Sequence, residues 1–208
     1  MMVPSHSGWN VEQMRVILAS QSPRRRELLT LVGITHEVQP ADIDETPWPG
    51  ELPIPHTERL AIAKARVIAS REPDALVIAA DTIVVVDGDI LGKPTSEADS
   101  RAMLRRLSGR SHEVCTAMAV AVGNDVQAQV VRVSVRFREL DDATIARYVE
   151  TGEPMDKAGA YGIQGYGATI VEHLEGDYFA VLGLSLITVV RLAQRMGVSY
   201  DFGSLHRG

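Results

Sequence analysis

The sequence is short of cysteine, lysine, net positive charge and long apolar runs, and each shortage excludes something. One cysteine in 208 residues, Cys115, allows no internal disulfide framework and fits a reducing compartment. No apolar run reaches the roughly 20 residues of a membrane-spanning helix, and no secretory leader is read, so a cytoplasmic protein without a membrane partner is expected. Twenty-one Lys and Arg against 27 Asp and Glu give a net charge of −6, which argues against binding a nucleic-acid polymer. Repeats, low-complexity segments and clear domain linkers are also missing. Only three of the 21 basic residues are lysine, namely Lys64, Lys93 and Lys157. A compact ammonium is not replaced by a planar guanidinium at a tight phosphate site, so these three positions stand out.

What is present has the composition of a globule, 45% hydrophobic and 23% charged, at a length suited to one α/β domain or two small lobes. The chain is organised around Leu18–Leu29, LASQSPRRRELL. The apolar run Val16-Ile17-Leu18-Ala19 reads as a buried strand that stops at Ser20-Gln21-Ser22. Ser22 is placed as a helix N-cap, with Pro23 as the first helical residue, where its missing N–H costs nothing. Leu28, Leu29 and Val32 form the apolar stripe, and Gly33 ends the helix. Arg24, Arg25 and Arg26 then fall on the first turn, where the helix dipole is already positive. An anion held by free N–H groups and guanidinium forks resolves that conflict, whereas a solvated basic face leaves it standing. The stretch reads as a phosphate site.

Further along, Thr35–Val38 is a candidate second strand, and Ala41-Asp42-Ile43-Asp44-Glu45 sets three carboxylates in four residues. Such a cluster serves either solubility or a metal. Thr46–Pro55, with four prolines, is expected as a loop before a helix over roughly Thr57–Arg71, with Lys64 as a solvated lysine near one edge of its stripe. Leu76–Ala80 reads as a central strand that Asp81-Thr82 interrupts before Ile83–Val86. A carboxylate between apolar segments is costly without a partner or a task, so Asp81 is the leading candidate for a metal ligand or general base. The plainer alternative is a turn aspartate bonding its own backbone. Asp87-Gly88 signals a hairpin that returns Lys93 to the same edge. A capping box at Ser96–Asp99 opens a helix to about Leu107. Ser111–Val122 and Val126–Phe137 form a long hairpin with Cys115 as a small core residue. Asp141 caps a helix over Asp142–Glu150, and Leu184–Met196 is a final amphipathic helix. Met155–Leu186 is dense in glycine, which means close backbone approach or tight turns, and Gln164 within it offers a donor and an acceptor. Residues 1–13 and 199–208 are expected as tails around a single domain, 14–198.

In this order LASQSPRRREL, Asp44-Glu45, AADTIV, LGKP, LSGRSHEVCTA and EPMDKAGAYGIQG closely resemble the Maf family of nucleoside triphosphate pyrophosphatases, from about Val16 to Ala193. The resemblance implies an α/β fold similar to that of inosine triphosphate pyrophosphatases: a mixed, strongly twisted central sheet with flanking helices, and two lobes around a cleft. It implies conversion of a nucleoside triphosphate to the monophosphate and pyrophosphate, with a divalent cation such as Mg²⁺ or Mn²⁺, in nucleotide-pool house-cleaning. Residue by residue, Ser20 and Arg24 match the phosphate-binding turn, which Ser22 shares. Lys64 and Lys93 match phosphate lysines, Glu45 a carboxylate near the metal, and Asp81 the proton acceptor. Arg25, Thr82 and Gln164 match positions tied to substrate choice, and this combination resembles the branch acting on dTTP and UTP rather than the one preferring 7-methyl-GTP. A glutamine amide suits that edge, since uracil O4 accepts and N3–H donates. On this reading Glu45 and Asp81 hold the metal, and Asp81 also orients or deprotonates the attacking water. Gln21 departs from the glycine common in the family, and Lys157 is read as structural. Two alternatives remain: a nucleotidyltransferase, which needs a second substrate, and a non-catalytic nucleotide-binding regulator of cell division. A homodimer is left open.

Overall fold

A computed structural model of the chain describes residues 13–207. Apart from Gln13, the expected N-terminal tail lies outside the described residues. Strand β1 (Val16–Leu18) leads into α1 (Pro23–Leu31), and β2 (Glu37–Val38) returns parallel to β1. Helix α2 (Pro53–Ala69) precedes β3 (Leu76–Val86), which lies parallel to β1 on its other side. β3 turns back through Asp87-Gly88 into β4 (Asp89–Leu91), and α3 (Glu97–Leu107) precedes the long hairpin of β5 (Ser111–Val122) and β6 (Asp125–Phe137). Then come α4 (Asp142–Glu150), short 3₁₀ turns within 153–169, β7 (Val171–Glu175), α5 (Tyr178–Leu182) and α6 (Leu186–Arg195). A hairpin of β8 (Val198–Asp201) and β9 (Ser204–Arg207) closes the described chain. The main sheet runs β2-β1-β3-β5-β6-β7, with β4 beside the far end of β3. It is mixed and flanked by helices, as expected.

β3 is the spine, and its alternation divides the core. Leu76, Ile78 and Ala80 face Leu28 and Leu29 of α1 and Val189 and Leu192 of α6. Val77 and Ala79 face Ala61, Ala65 and Ile68 of α2, a contact of small side chains on both surfaces. Beyond the middle of the strand, Val84 and Val86 join Leu104, Leu107, Phe137 and Tyr148 in a separate cluster around α3 and α4. These three clusters make up the core. One edge of β3 pairs with β5 from Val77 to Val85. The other edge pairs with β1 at Leu76–Ile78 and with β4 at Val84–Val86. Residues 79–83 have no strand neighbour on that side. The gap lies beyond the carboxyl end of β1, where sheets of this kind change direction and leave a crevice for ligands.

The structure departs from the sequence reading in three places. β3 is continuous through Asp81 because the side chain is partnered and no break is needed. α2 begins at Pro53 rather than Thr57: two of the loop prolines sit in its first turn, where an N–H has no helical partner to lose. Residues 198–207 form a hairpin instead of a tail. It buries Val198 and Leu205, Met14 N–H donates to Leu205 O at 2.8 Å, and the Tyr200 hydroxyl donates to Val32 O at 2.7 Å.

Candidate active site

The open stretch of β3 borders a cavity of about 1000 Å³. Ten of the residues singled out from the sequence line it: Ser20, Ser22, Arg24, Arg25, Glu45, Lys64, Asp81, Thr82, Lys93 and Gln164. Arg26 does not; it is exposed on the outer side of α1, so only two of the three consecutive arginines turn inward.

Asp81 follows Val77 and Ala79 onto the α2 face of the sheet. Its Oδ1 accepts a hydrogen bond from Lys64 Nζ at 2.8 Å, and the same ammonium lies 2.7 Å from Glu45 Oε1. Lys64 and Asp81 are each only 8% exposed, which makes this a buried ion pair rather than a surface one. The expectation of a solvated Lys64 is therefore corrected. It lies four residues after Leu60 and four before Ile68, in the middle of the buried stripe, and Asp81 is the partner that makes its burial tolerable. Glu45 is more open and is placed by its loop. Asp44 accepts from Thr46 N at 2.9 Å, and hydrogen bonds from Thr46 hold its carboxyl below the usual range. Arg59 of α2 donates to Thr46 O, grips both oxygens of Glu51 at 2.6 and 2.7 Å, and stacks on Trp48. The loop after Glu45 is thus clamped to the helix that carries Lys64.

Among the described residues no three His, Cys, Asp or Glu side chains gather as a metal cage. Two hard carboxylates beside a phosphate-sized cavity nevertheless suit Mg²⁺ or Mn²⁺, which take one or two carboxylates and fill the other positions with phosphate oxygens and water. The donor set fits such an ion.

Thr82 points to the opposite face of β3, toward α1. Four hydrogen bonds hold the half-buried Arg25 guanidinium there. Nε donates to Gly183 O at 2.8 Å, Nη1 to Ser20 Oγ at 3.0 Å and to Ala80 O at 2.8 Å, and Nη2 to Thr82 Oγ1 at 3.1 Å. Arg25 therefore occupies part of the gap in the sheet and satisfies a β3 carbonyl there. Burial lowers its pKa, with Asp81 opposing, but a guanidinium remains charged. Ser22 accepts from Arg25 N at 3.5 Å as the N-cap, and its own N–H donates to Ser20 Oγ at 3.2 Å. Behind Thr82, the buried Thr116 lies 3.0 Å away, hydroxyl to hydroxyl, and donates to Ala180 O at 2.8 Å.

The remaining wall belongs to residues 153–165. Arg24 Nη1 reaches Asp156 Oδ2 at 3.4 Å, a long contact that ties α1 to this wall. Burial opposes ionisation of Asp156, but Lys157 and Arg24 outweigh it and keep the carboxyl below its usual range. Lys157 also lines the cavity, and it donates to Asp156 and to Glu153 O. Lys93 is exposed and makes no ion pair among the described residues, and the exposed Gln164 side chain likewise faces the cavity uncommitted. Tyr161 lines the same wall, with its hydroxyl 2.7 Å from His112 Nε2. His112 Nδ1 has no partner, and burial pushes the ring pKa down to about 4. Thr116 and His112 were missed by the sequence reading. Their signal was there, as two polar residues in register with the core-facing Val114, Met118 and Val120 of β5.

The sequence pattern of the family described as "Maf-like protein" matches residues 15–196. A protein of Symbiobacterium thermophilum named dTTP/UTP pyrophosphatase is 49% identical over 183 residues, 88% of this chain and 94% of its own length. Proteins of the same name from Moorella thermoacetica and Shewanella oneidensis are 50% identical over 186 residues and 47% over 193, covering 88% and 89% of this chain and 96% and 100% of theirs. Among solved structures, the Staphylococcus aureus Ham1 protein superposes with a TM-score of 0.47 at 16% identity, over 76% of this chain and 80% of that one.

Proposed function

The chain belongs to the Maf-like family, and from that premise we propose that it hydrolyses nucleoside triphosphates to the monophosphate and pyrophosphate, with dTTP and UTP preferred. The relatives' shared name supports the reaction. The observation that carries it is the Lys64 ammonium set between Asp81 and Glu45 on the open stretch of β3. Hydrolysis of a phosphoanhydride requires neutralised phosphate charge and an oriented water. Arg24, Lys64 and Lys93 supply positive charge to the cavity, and the Ser20–Ser22 turn opens the helix end that receives phosphate oxygens. Lys64 holds Asp81 by Oδ1 and leaves Oδ2 to take the proton of the attacking water. Glu45 and Asp81 are the residues that would hold a divalent cation. When bound, it adds to the neutralisation of phosphate charge.

Arg25 and Thr82 form a fixed wall, and Gln164 reads the pyrimidine edge by its amide. The free nucleotide pool is then the substrate source, a cytoplasmic task. Among the described residues no helix is long and apolar enough to cross a membrane. The test is pyrophosphate release with Mg²⁺ or Mn²⁺ across dTTP, UTP, CTP, dCTP, GTP, ATP, ITP and 7-methyl-GTP. Fast turnover of dTTP and UTP alone is expected, and Asp81→Asn should lower kcat by about 10²-fold or more. Turnover spread over many bases would keep the reaction and remove the pyrimidine preference. Binding without turnover would leave a nucleotide-binding regulator.

A further inference from the structure

We propose that Glu153 is the positioning residue that sets base selection, by gathering the backbone of residues 162–167 into the turn that presents Gln164. The proposal rests on the reading of Gln164 given above. Glu153 Oε1 accepts from the Tyr148 hydroxyl at 2.8 Å and from Gly167 N at 2.9 Å, and Oε2 accepts from Tyr166 N at 2.8 Å. The Tyr148 oxygen in turn accepts from Gly162 N at 3.1 Å. One side of the turn is therefore tied to Glu153 through Tyr148 and the other side directly, with Gln164 between them. Burial raises the Tyr148 pKa, so its hydroxyl keeps the proton that it donates.

The glycines show how close this packing is. A Cβ at Gly165, where φ is +66°, would lie 2.4 Å from Glu153 Oε2, and one at Gly167 would lie 2.0 Å from Gly162 O. The turn thus needs glycine for two close approaches, to the Glu153 carboxylate at Gly165 and to the Gly162 carbonyl at Gly167. Glutamate is specified chemically as well as sterically. All three partners are donors, so a carboxylate can serve them all, whereas the NH₂ of a glutamine would face a donor. Glu153 itself is fixed by its own backbone: Gly152, at φ +74°, turns the chain out of α4, and Lys157 Nζ donates to Glu153 O at 2.6 Å. Lys157 thereby acts on Gln164 at one remove. The ligand class selected is a pyrimidine nucleoside triphosphate whose base offers a carbonyl beside an N–H, as thymine and uracil do.

The test pairs kinetics with amide hydrogen exchange on Glu153→Gln and Glu153→Asp. Glu150→Gln, on the exposed end of α4 and away from the cavity, is the charge-matched control. Expected in both variants is at least tenfold faster exchange at Tyr166 and Gly167, and at least a tenfold fall in the ratio of kcat/KM for dTTP to that for CTP. The loss should appear mainly in KM for dTTP. Glu153→Gln combined with Gln164→Ala should discriminate no worse than Gln164→Ala alone. Unchanged exchange overturns the cradle. Faster exchange with the wild-type ratio retained overturns its link to selectivity, as does an equal loss for every nucleotide. A wild-type enzyme that does not discriminate, with exchange still accelerated in the variants, refutes the pyrimidine reading of Gln164 and the selectivity role with it, while the cradle stands.

Discussion

Replacing Lys64 by methionine removes one ammonium and keeps most of the stem, which makes it a sharp test of why a charge pair is buried here. Asp81, 8% exposed, would lose the one cation that hydrogen-bonds it among the described residues, whereas Glu45, whose side chain is 58% exposed, would be rehydrated. Stripping one partner from a buried pair costs about 3–5 kcal/mol, most of it the uncompensated charge that remains. Lys64→Met/Asp81→Asn removes both charges at nearly constant shape. Its cost should fall to about 1–2 kcal/mol, the penalty of an amide with incomplete partners. The two substitutions should therefore be non-additive by at least about 2–3 kcal/mol, the fall from the Lys64→Met cost, with the cost of Asp81→Asn alone added to it. Urea unfolding of the wild type, both single variants and the double variant measures this directly. Pyrophosphate release should be lost in the double variant although its fold is nearly restored. A Lys64→Met cost below about 1 kcal/mol, or simple additivity, would refute the claim that Asp81 is ionised and dependent on Lys64.

His112 provides a pH test. Burial holds its pKa near 4, below the 6.5 of an exposed ring, so the unfolded chain binds the proton more readily. Its contribution is complete above pH 6.5 and is lost as pH falls toward 4, by about 3 kcal/mol at about 1.4 kcal/mol for each pH unit between the two values. Urea midpoints over that range should fall more steeply in the wild type than in His112→Asn. Parallel curves would show that the ring does not stay neutral. Arg25→Lys keeps the charge but cannot reach four acceptors at once, so it should cost at least about 2 kcal/mol in unfolding experiments. It should also lower kcat/KM for dTTP by at least tenfold, and wild-type behaviour would mean that the fork is dispensable.

Sequence periodicity revealed the elements whose signals are local. Ser22 and Asp141 cap where their side chains predict, and the β5–β6 hairpin and α4 fall within a residue of expectation. What stayed hidden depended on contacts between distant segments. Asp81 looked like a break in a strand because nothing local could satisfy a carboxylate there; its partner comes from α2, 17 residues earlier. Lys64 looked like a surface residue for the same reason, seen from the other side. Arg25 was legible as a cation at a helix start, but its four acceptors come from three separate places in the chain, Ser20, β3 and Gly183, so its fixed posture could not be inferred from spacing. Glu153, between Gly152 and Pro154 just past α4, carried no local signal. Only the folded turn shows three donors converging on it.

The division of labour in the cavity follows from the period of one strand. Adjacent residues of β3 project to opposite faces, so Asp81 and Thr82 meet different helices although they share a peptide bond. Asp81 faces α2 and receives Lys64; Thr82 faces α1 and receives Arg25. Because β1 and β4 leave residues 79–83 uncovered on one edge, both side chains also border the same cavity. The Lys64–Asp81 pair and the Arg25–Thr82 contact are therefore separate hydrogen-bond systems, each anchored to its own helix and core cluster. A one-residue shift of β3 against β5 would exchange the two faces, setting Asp81 against α1 and Thr82 against α2. The nine paired positions from Val77 to Val85 oppose that shift, since each apolar residue would move with them. The long, regular β3–β5 ladder is therefore as much a part of the site as the residues that line it, and its register is what sets the two hydrogen-bond systems on their sides.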